Sequence, residues 1–156
     1  MEKTLIILKP DALQRGLAGR IISRFESKGL QIVALKAMNV SRPLAEQHYA
    51  VHKGKPFYPR LIEYITSSPV VVMVLQGVGA IAIARKLMGA TFGSNAEPGT
   101  IRGDFGMSNS FNLIHGSDSP EAAAFEIGLY FKPDDLLSYE RGNEKWIYDY
   151  SGEVPE

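Results

Sequence analysis

The chain reads as an α/β (α+β) fold: a four-stranded antiparallel sheet of the ferredoxin-like type, with helices packed on one face. Four apolar runs have strand length. They alternate with helical patterns in the order strand, helix, strand, helices, strand, helix, loop, strand, helix. No internal repeat or linker divides residues 1–156, so they read as a single domain. A doubly wound parallel sheet fits the same order almost as well.

"TLIIL", Thr4 to Leu8, is a short β-branched run and predicts a buried strand. "KPDALQRG" breaks it. "LAGRIISRFESKG" spaces Ile21, Ile22 and Phe25 as a helix and stops at Gly29. "LQIVALKAMNV" can alternate as a second strand. "RPLAEQHYAVH" and "PFYPRLIEYITSS" read as two helices joined by "KGKP". "PVVVMVLQG" is the clearest strand, because consecutive valines favour extended backbone. "AIAIARKLMG" is a helix ended by Gly89. "ATFGSNAEPGTIRGDFGMSNS" has little periodicity, and a loop that long inside a domain is more often functional than idle. "FNLIH" is the fourth strand. "SPEAAAFEIGLYF" is a helix with Ser119 as N-cap and Pro120 at its first position. Residues 132–156 form a polar, aromatic C-terminal extension, expected on the domain or at subunit contacts.

Composition narrows the function. A chain of this size buries roughly 70% of its unfolded surface, enough for a real core. Seventeen basic and 17 acidic residues cancel, so no global field favours nucleic acid or membrane. A small anion needs only a local cluster. With no cysteine, disulfides, thiolate zinc sites and cysteine nucleophiles are excluded, and a cytoplasmic setting is the expectation. The one apolar run near the N-terminus is too short for a signal peptide or a membrane span.

Among the motifs, "GVGAIA" at 77–82 fits the dinucleotide pattern G-x-G-x-x-A, with Glu97 twenty residues beyond its first glycine. Glu97 sits in a turn, however, where the fingerprint requires a second parallel strand. There is no P-loop. His48 and His52 lie four apart without the glutamate of H-E-x-x-H, so surface histidines are expected there rather than zinc ligands. His115 differs. It ends an apolar strand just before "GSDS", where a neutral imidazole is a competent nucleophile or base. Glu126, on the following helix, could bond its second nitrogen. Lys9, Arg85, Thr100 and Arg102 would supply the cations and hydroxyls that phosphate transfer needs. Taken singly, each reads as a solvated surface group.

Four ordered blocks resemble one family. "NLIHGSDS" is similar to the active-site segment of the nucleoside diphosphate kinases, and "TLIILKPDALQRGLAGRIISRFESKG" to their N-terminal block. "HYAVHKGKPFY" resembles their nucleotide-clasping helices and "PGTIRGDF" their central loop. The resemblance, from Lys3 to about Tyr148, implies a ferredoxin-like hexamer or tetramer. It implies transfer of the γ-phosphate from nucleoside triphosphates such as ATP or GTP to diphosphates such as ADP or GDP. The route would be a ping-pong mechanism through phosphohistidine, with Mg2+ carried by the nucleotide phosphates and no metal held by the protein. His115 would be the nucleophile, with Glu126 and Ser117 orienting it. Lys9, Tyr49, Arg85, Thr91, Arg102 and Asn112 match positions that hold phosphate or sugar, Lys9 also counting as catalytic. Phe57 matches the base-stacking aromatic, which reads a ring face and suits many bases.

Phe111 and Phe92-Gly93 depart from the family pattern, which usually has a polar or basic residue and Asn-Pro there. If the strand is regular, Phe111, Leu113 and His115 share one face. Phe111 would then serve in packing or at a subunit contact, and Phe111→Arg would spare catalysis. The rival functions are a non-catalytic nucleotide-binding regulator, which would lack the nucleophile or its cations, and an NAD-dependent oxidoreductase built on "GVGAIA".

Overall fold

The structure is a computed structural model that describes all residues, Met1–Glu156. Its sheet comprises β1 (Glu2–Leu8), β2 (Gln31–Met38), β3 (Val70–Gly77) and β4 (Ile114–Gly116). Their order across the sheet is β2-β3-β1-β4. Every neighbouring pair is antiparallel, which rules out the doubly wound alternative. It also removes the dinucleotide reading of "GVGAIA", since that motif needs a parallel βαβ unit.

The helices are α1 (Pro10–Gln14), α2 (Ala18–Lys28), α3 (Arg42–His48), α4 (Tyr58–Thr66), α5 (Ala80–Met88), α6 (Ile101–Phe105) and α7 (Pro120–Tyr130). They cover both faces of the sheet, not one as expected. Along β1, Ile6 and Leu8 join a core with Ile21 and Phe25 of α2, Ala84 of α5 and Ile101 of α6. Leu5 and Ile7 point the other way, into a second core with Ala45 of α3, Ile62 and Ile65 of α4 and Tyr130 of α7. A run apolar at every position, as in Leu5–Leu8, is what two covered faces require. Full burial of a side chain such as Phe25 stabilises by roughly 1.5–3 kcal/mol.

Local chemistry sets the element ends. Gly29 stops α2 at φ +102°, and a Cβ there would meet Ile147 Cγ2 at 2.7 Å. Ser119 caps α7 by accepting from Ala122 N at 3.0 Å. Two helices were not expected. α1 starts inside the supposed break, with Pro10 in its first turn and Asp11 beside the helix's positive end. α6 interrupts the long loop. Its N-cap is Thr100, whose Oγ accepts from Gly103 N at 3.0 Å, so this hydroxyl is a cap and not a phosphate ligand.

The C-terminal segment packs along β2 and the neighbouring turns. Leu137 N donates to Val33 O at 2.8 Å and Arg141 to Gly29 O at 2.8 Å. No helix is long and apolar enough to cross a membrane.

Candidate active site

The segment before His115 is not the regular strand the sequence suggested. Only Ile114–Gly116 pairs with β1, with His115 opposite Ile7. Leu113 has φ +70°, the only positive value outside glycine. Ile114 N donates back to Asn112 O at 2.8 Å, which closes a γ-turn on Leu113 of the rare positive-φ kind. Such a backbone costs about 1–3 kcal/mol and persists only when its surroundings impose it.

Those surroundings are visible. Asp11 Oδ2 accepts Leu113 N at 3.1 Å, and Lys9 N donates to Leu113 O at 2.8 Å. Asp11 Oδ1 accepts the Tyr64 hydroxyl. Buried Arg102 donates to Asn112 O at 3.1 Å, Gly89 O at 3.2 Å and Ile114 O at 2.6 Å. Gly116 then lets β4 approach α5, because a Cβ there would lie 2.6 Å from Met88 Sδ. The turn thereby aims His115 into a cleft of about 1050 Å³.

His115 keeps 22% of its side chain exposed at that cleft. Its Nε2 bonds Glu126 Oε2, and Nδ1 has no protein partner. Burial holds the imidazole well below its usual range, outweighing the opposing pull of Glu126. Burial alone would raise Glu126; its bonds to His115 and His48 reverse that and keep it ionised. An ionised carboxylate only accepts, so the hydrogen of the neutral His115 ring sits on Nε2. The Nδ1 lone pair is left free.

The predicted phosphate and sugar residues line the same cleft: Lys9, Tyr49, Arg85, Thr91, Arg102 and Asn112. Lys9 Nζ donates to Asn112 Oδ1 at 2.7 Å, and Asn112 Nδ2 to Thr91 O at 3.1 Å. Arg85 donates to Gly116 O at 3.2 Å. Buried Tyr49 has no partner for its hydroxyl. Phe57 is half-exposed at the cleft mouth. Ser117 is not part of the lining. Its Oγ accepts Leu5 N at 3.2 Å, and it bonds neither His115 nor Glu126, so its hold on the site runs through β4.

Two expectations need correction. His48 is not a surface histidine. It is 6% exposed and hydrogen-bonded to Glu126 and Tyr130. Ala45, His48 and Tyr49 fall at i, i+3 and i+4, all on the buried side of α3, and that spacing was the available signal. Phe111 does not share a strand face with His115, because the γ-turn intervenes. It is half-exposed on the cleft wall, edge-on to Tyr64 with centroids 5.1 Å apart. Asp11 and Tyr64, which the sequence reading missed, connect this wall to the turn. An aromatic pair contributes about 0.5–1.5 kcal/mol beyond area. Phe111→Ala should therefore raise nucleotide KM several-fold with kcat little changed. Steady-state kinetics at unchanged KM would contradict this placement.

Lys9 predicts a pH signature. Burial and then the nearby Arg102 charge lower it from its ordinary value to about 8, against the pull of Asp11. It therefore loses its charge as pH rises through about 8. A bound phosphate favours the charged form, so kcat/KM should fall above about pH 8 while kcat persists to higher pH. On the acid side both should hold below the free-imidazole value of about 6.5. Lys9→Arg should remove the alkaline limb. A limb that stays in this variant would assign it elsewhere.

A histidine with one nitrogen bound to carboxylate and the other free, set among buried cations, makes this a phosphotransferase of the ferredoxin-like class. The nucleoside diphosphate kinase family model matches residues 2–136. A nucleoside diphosphate kinase of Thermomicrobium roseum is 58% identical over 94% of this chain and 99% of its own. One from Carboxydothermus hydrogenoformans is 58% identical over 96% of this chain and its full length. A solved halophilic nucleoside diphosphate kinase of Halobacterium salinarum, in complex with CDP, superposes with TM-score 0.93 at 47% identity, covering 95% of this chain and 99% of that one. The chain belongs to the nucleoside diphosphate kinase family.

Proposed function

We propose that this chain moves the γ-phosphate of a nucleoside triphosphate to a nucleoside diphosphate through a covalent phosphate on Nδ1 of His115. The observation that carries this reading is the engagement of Nε2 by Glu126, which leaves Nδ1 of the cleft-lining His115 with a free lone pair. In the first half-reaction Nδ1 attacks the γ-phosphorus and the diphosphate leaves with the bridging oxygen. In the second, the incoming diphosphate attacks the same phosphorus and His115 leaves.

Each binding residue has a proposed part. Lys9 and Arg85 face the phosphates as cations. Arg102 has five N–H groups and spends three on carbonyls, so two remain for a phosphate oxygen. The unpartnered Tyr49 hydroxyl is a further donor. Asn112 and Thr91 would meet phosphate or sugar, and half-exposed Phe57 offers a ring face to any base. The non-catalytic rival would lack the nucleophile His115 or its cations, and this chain carries His115 with Lys9, Arg85 and Arg102.

Magnesium prefers oxygen ligands. Of the cleft carboxylates Glu63, Asp118 and Glu126, the last is committed to two imidazoles. That donor set suits Mg2+ brought on the nucleotide phosphates, with Asp118 or Glu63 reached at most through water. When bound, it would screen phosphate charge.

We also infer a homo-oligomer, supported by exposed Leu35 on the sheet's edge strand β2; light scattering would test the mass. Absence of cysteine supports work in a reducing, cytoplasmic compartment, which fractionation of the source cells would check.

Ping-pong kinetics test the mechanism. Because one site serves donor and acceptor in turn, initial-rate plots at several acceptor concentrations should be parallel. Intersecting lines would mean direct transfer in a ternary complex.

A further inference from the structure

Glu126 Oε2 serves two imidazoles at once. His115 Nε2 bonds it, and His48 Nε2 lies 3.1 Å away. A carboxylate only accepts, so both nitrogens carry hydrogen. His48 is locked in that tautomer from behind. The Tyr130 hydroxyl lies 2.8 Å from its Nδ1 and donates to it. The ring is also wedged in place, stacked on Tyr49 with centroids 4.5 Å apart and edge-on to His115 at 4.7 Å. Packing alone would not require a second donor on the carboxylate that holds the nucleophile.

Building on the phosphohistidine reading, we propose that His48 is a positioning residue that sets the phosphoryl-transfer equilibrium of His115 by sharing the Glu126 carboxylate. In the transfer, the Nδ1 lone pair forms the N–P bond. The bond from phosphorus to the bridging oxygen breaks, and its electron pair leaves on the diphosphate. The ring loses no proton, since Nε2–H stays on Glu126. It does gain positive character, so the pull of Glu126 on Nε2–H stabilises the phosphorylated ring over the free one. An acceptor already bonded to one donor pulls less on the next. His48 thus restrains Glu126 and leaves the N–P bond labile enough to pass its phosphate onward. With one site working in both directions, neither enzyme form can be allowed to become a trap.

The test uses the full-length chain with Mg2+ and mixtures of labelled ATP and ADP, quenched in alkali. The readout is the ATP/ADP ratio at which half the protein carries phosphate. His48→Leu has no donor. His48→Asn can still meet Tyr130 but is too short to reach Glu126. His48→Gln can replace the Nε2 donor. The Leu and Asn variants should shift the half-point about tenfold toward phosphoenzyme, the worth of one pKa unit on the imidazole. His48→Gln should stay near wild type. Wild-type half-points in the Leu and Asn variants would overturn the proposal, as would an equal shift in His48→Gln. The Asn variant keeps the test decisive if the Leu variant fails to fold. A wild-type protein that takes up no phosphate refutes the His115 reading itself; labelled variants with unmoved half-points refute only the role of His48.

Discussion

His115→Ala should take up no covalent phosphate from labelled ATP, and its turnover should fall by on the order of 10⁴–10⁶-fold, the scale seen when a nucleophile is deleted. Wild type should instead hold a phosphate that survives alkali and is lost in acid. The loss should be confined to chemistry. Lys9, Arg85 and Arg102 are positioned by bonds that do not involve His115, so the cationic cleft survives the substitution. ADP affinity by calorimetry should stay within a few-fold of wild type. Labelling of His115→Ala at the wild-type level would sink the assignment. His48 could not easily stand in, because both its nitrogens are already bonded.

The sheet was legible because β1, β2 and β3 are seven or eight residues long and carry β-branched residues, most clearly the "VVVM" of β3. The missing signal concerned faces. Leu5, Ile6, Ile7 and Leu8 are all fully buried without alternation, which already implied cover on both sides. The site was legible as a set of residues but not as a geometry. Nothing near Leu113 predicts a positive φ: it is neither Gly nor Asn, and its conformation is imposed by groups from distant parts of the chain, Lys9, Asp11 and Arg102. A strand reading through 111–115 therefore failed where long-range hydrogen bonds overrode local preference. That error carried Phe111 to the wrong face. His48 was missed for a different reason. Histidine is usually found at intermediate exposure, and only its helical spacing with Ala45 and Tyr49 marked it as internal.

Arg102 is where fold and function are least separable, and its replacement should have the second large effect. Arg102 is 5% exposed, and its guanidinium ties together three carbonyls: one from the end of α5 and two from the γ-turn. Burial, then the charge of Arg85, lowers it to about 10, so it remains charged at neutral pH. Each carbonyl left without a donor costs roughly 1–3 kcal/mol. Asn112 O keeps Ile114 N as a donor, so the loss falls mainly on Gly89 O and Ile114 O, and Arg102→Ala should lose about 3–5 kcal/mol in denaturant unfolding. Turnover should fall further than stability explains, because Leu113 loses part of the frame that sustains its strained backbone and His115 loses its aim. Arg102→Lys separates the two roles. An ammonium is a compact point charge and cannot span three carbonyls set by a planar fork. The Lys variant should therefore keep nucleotide affinity within several-fold and still lose most of kcat, whereas the Ala variant loses both. A Lys variant with wild-type kcat would show that charge alone matters at this position and that the γ-turn is held by Asp11 and Lys9 without help from the arginine fork.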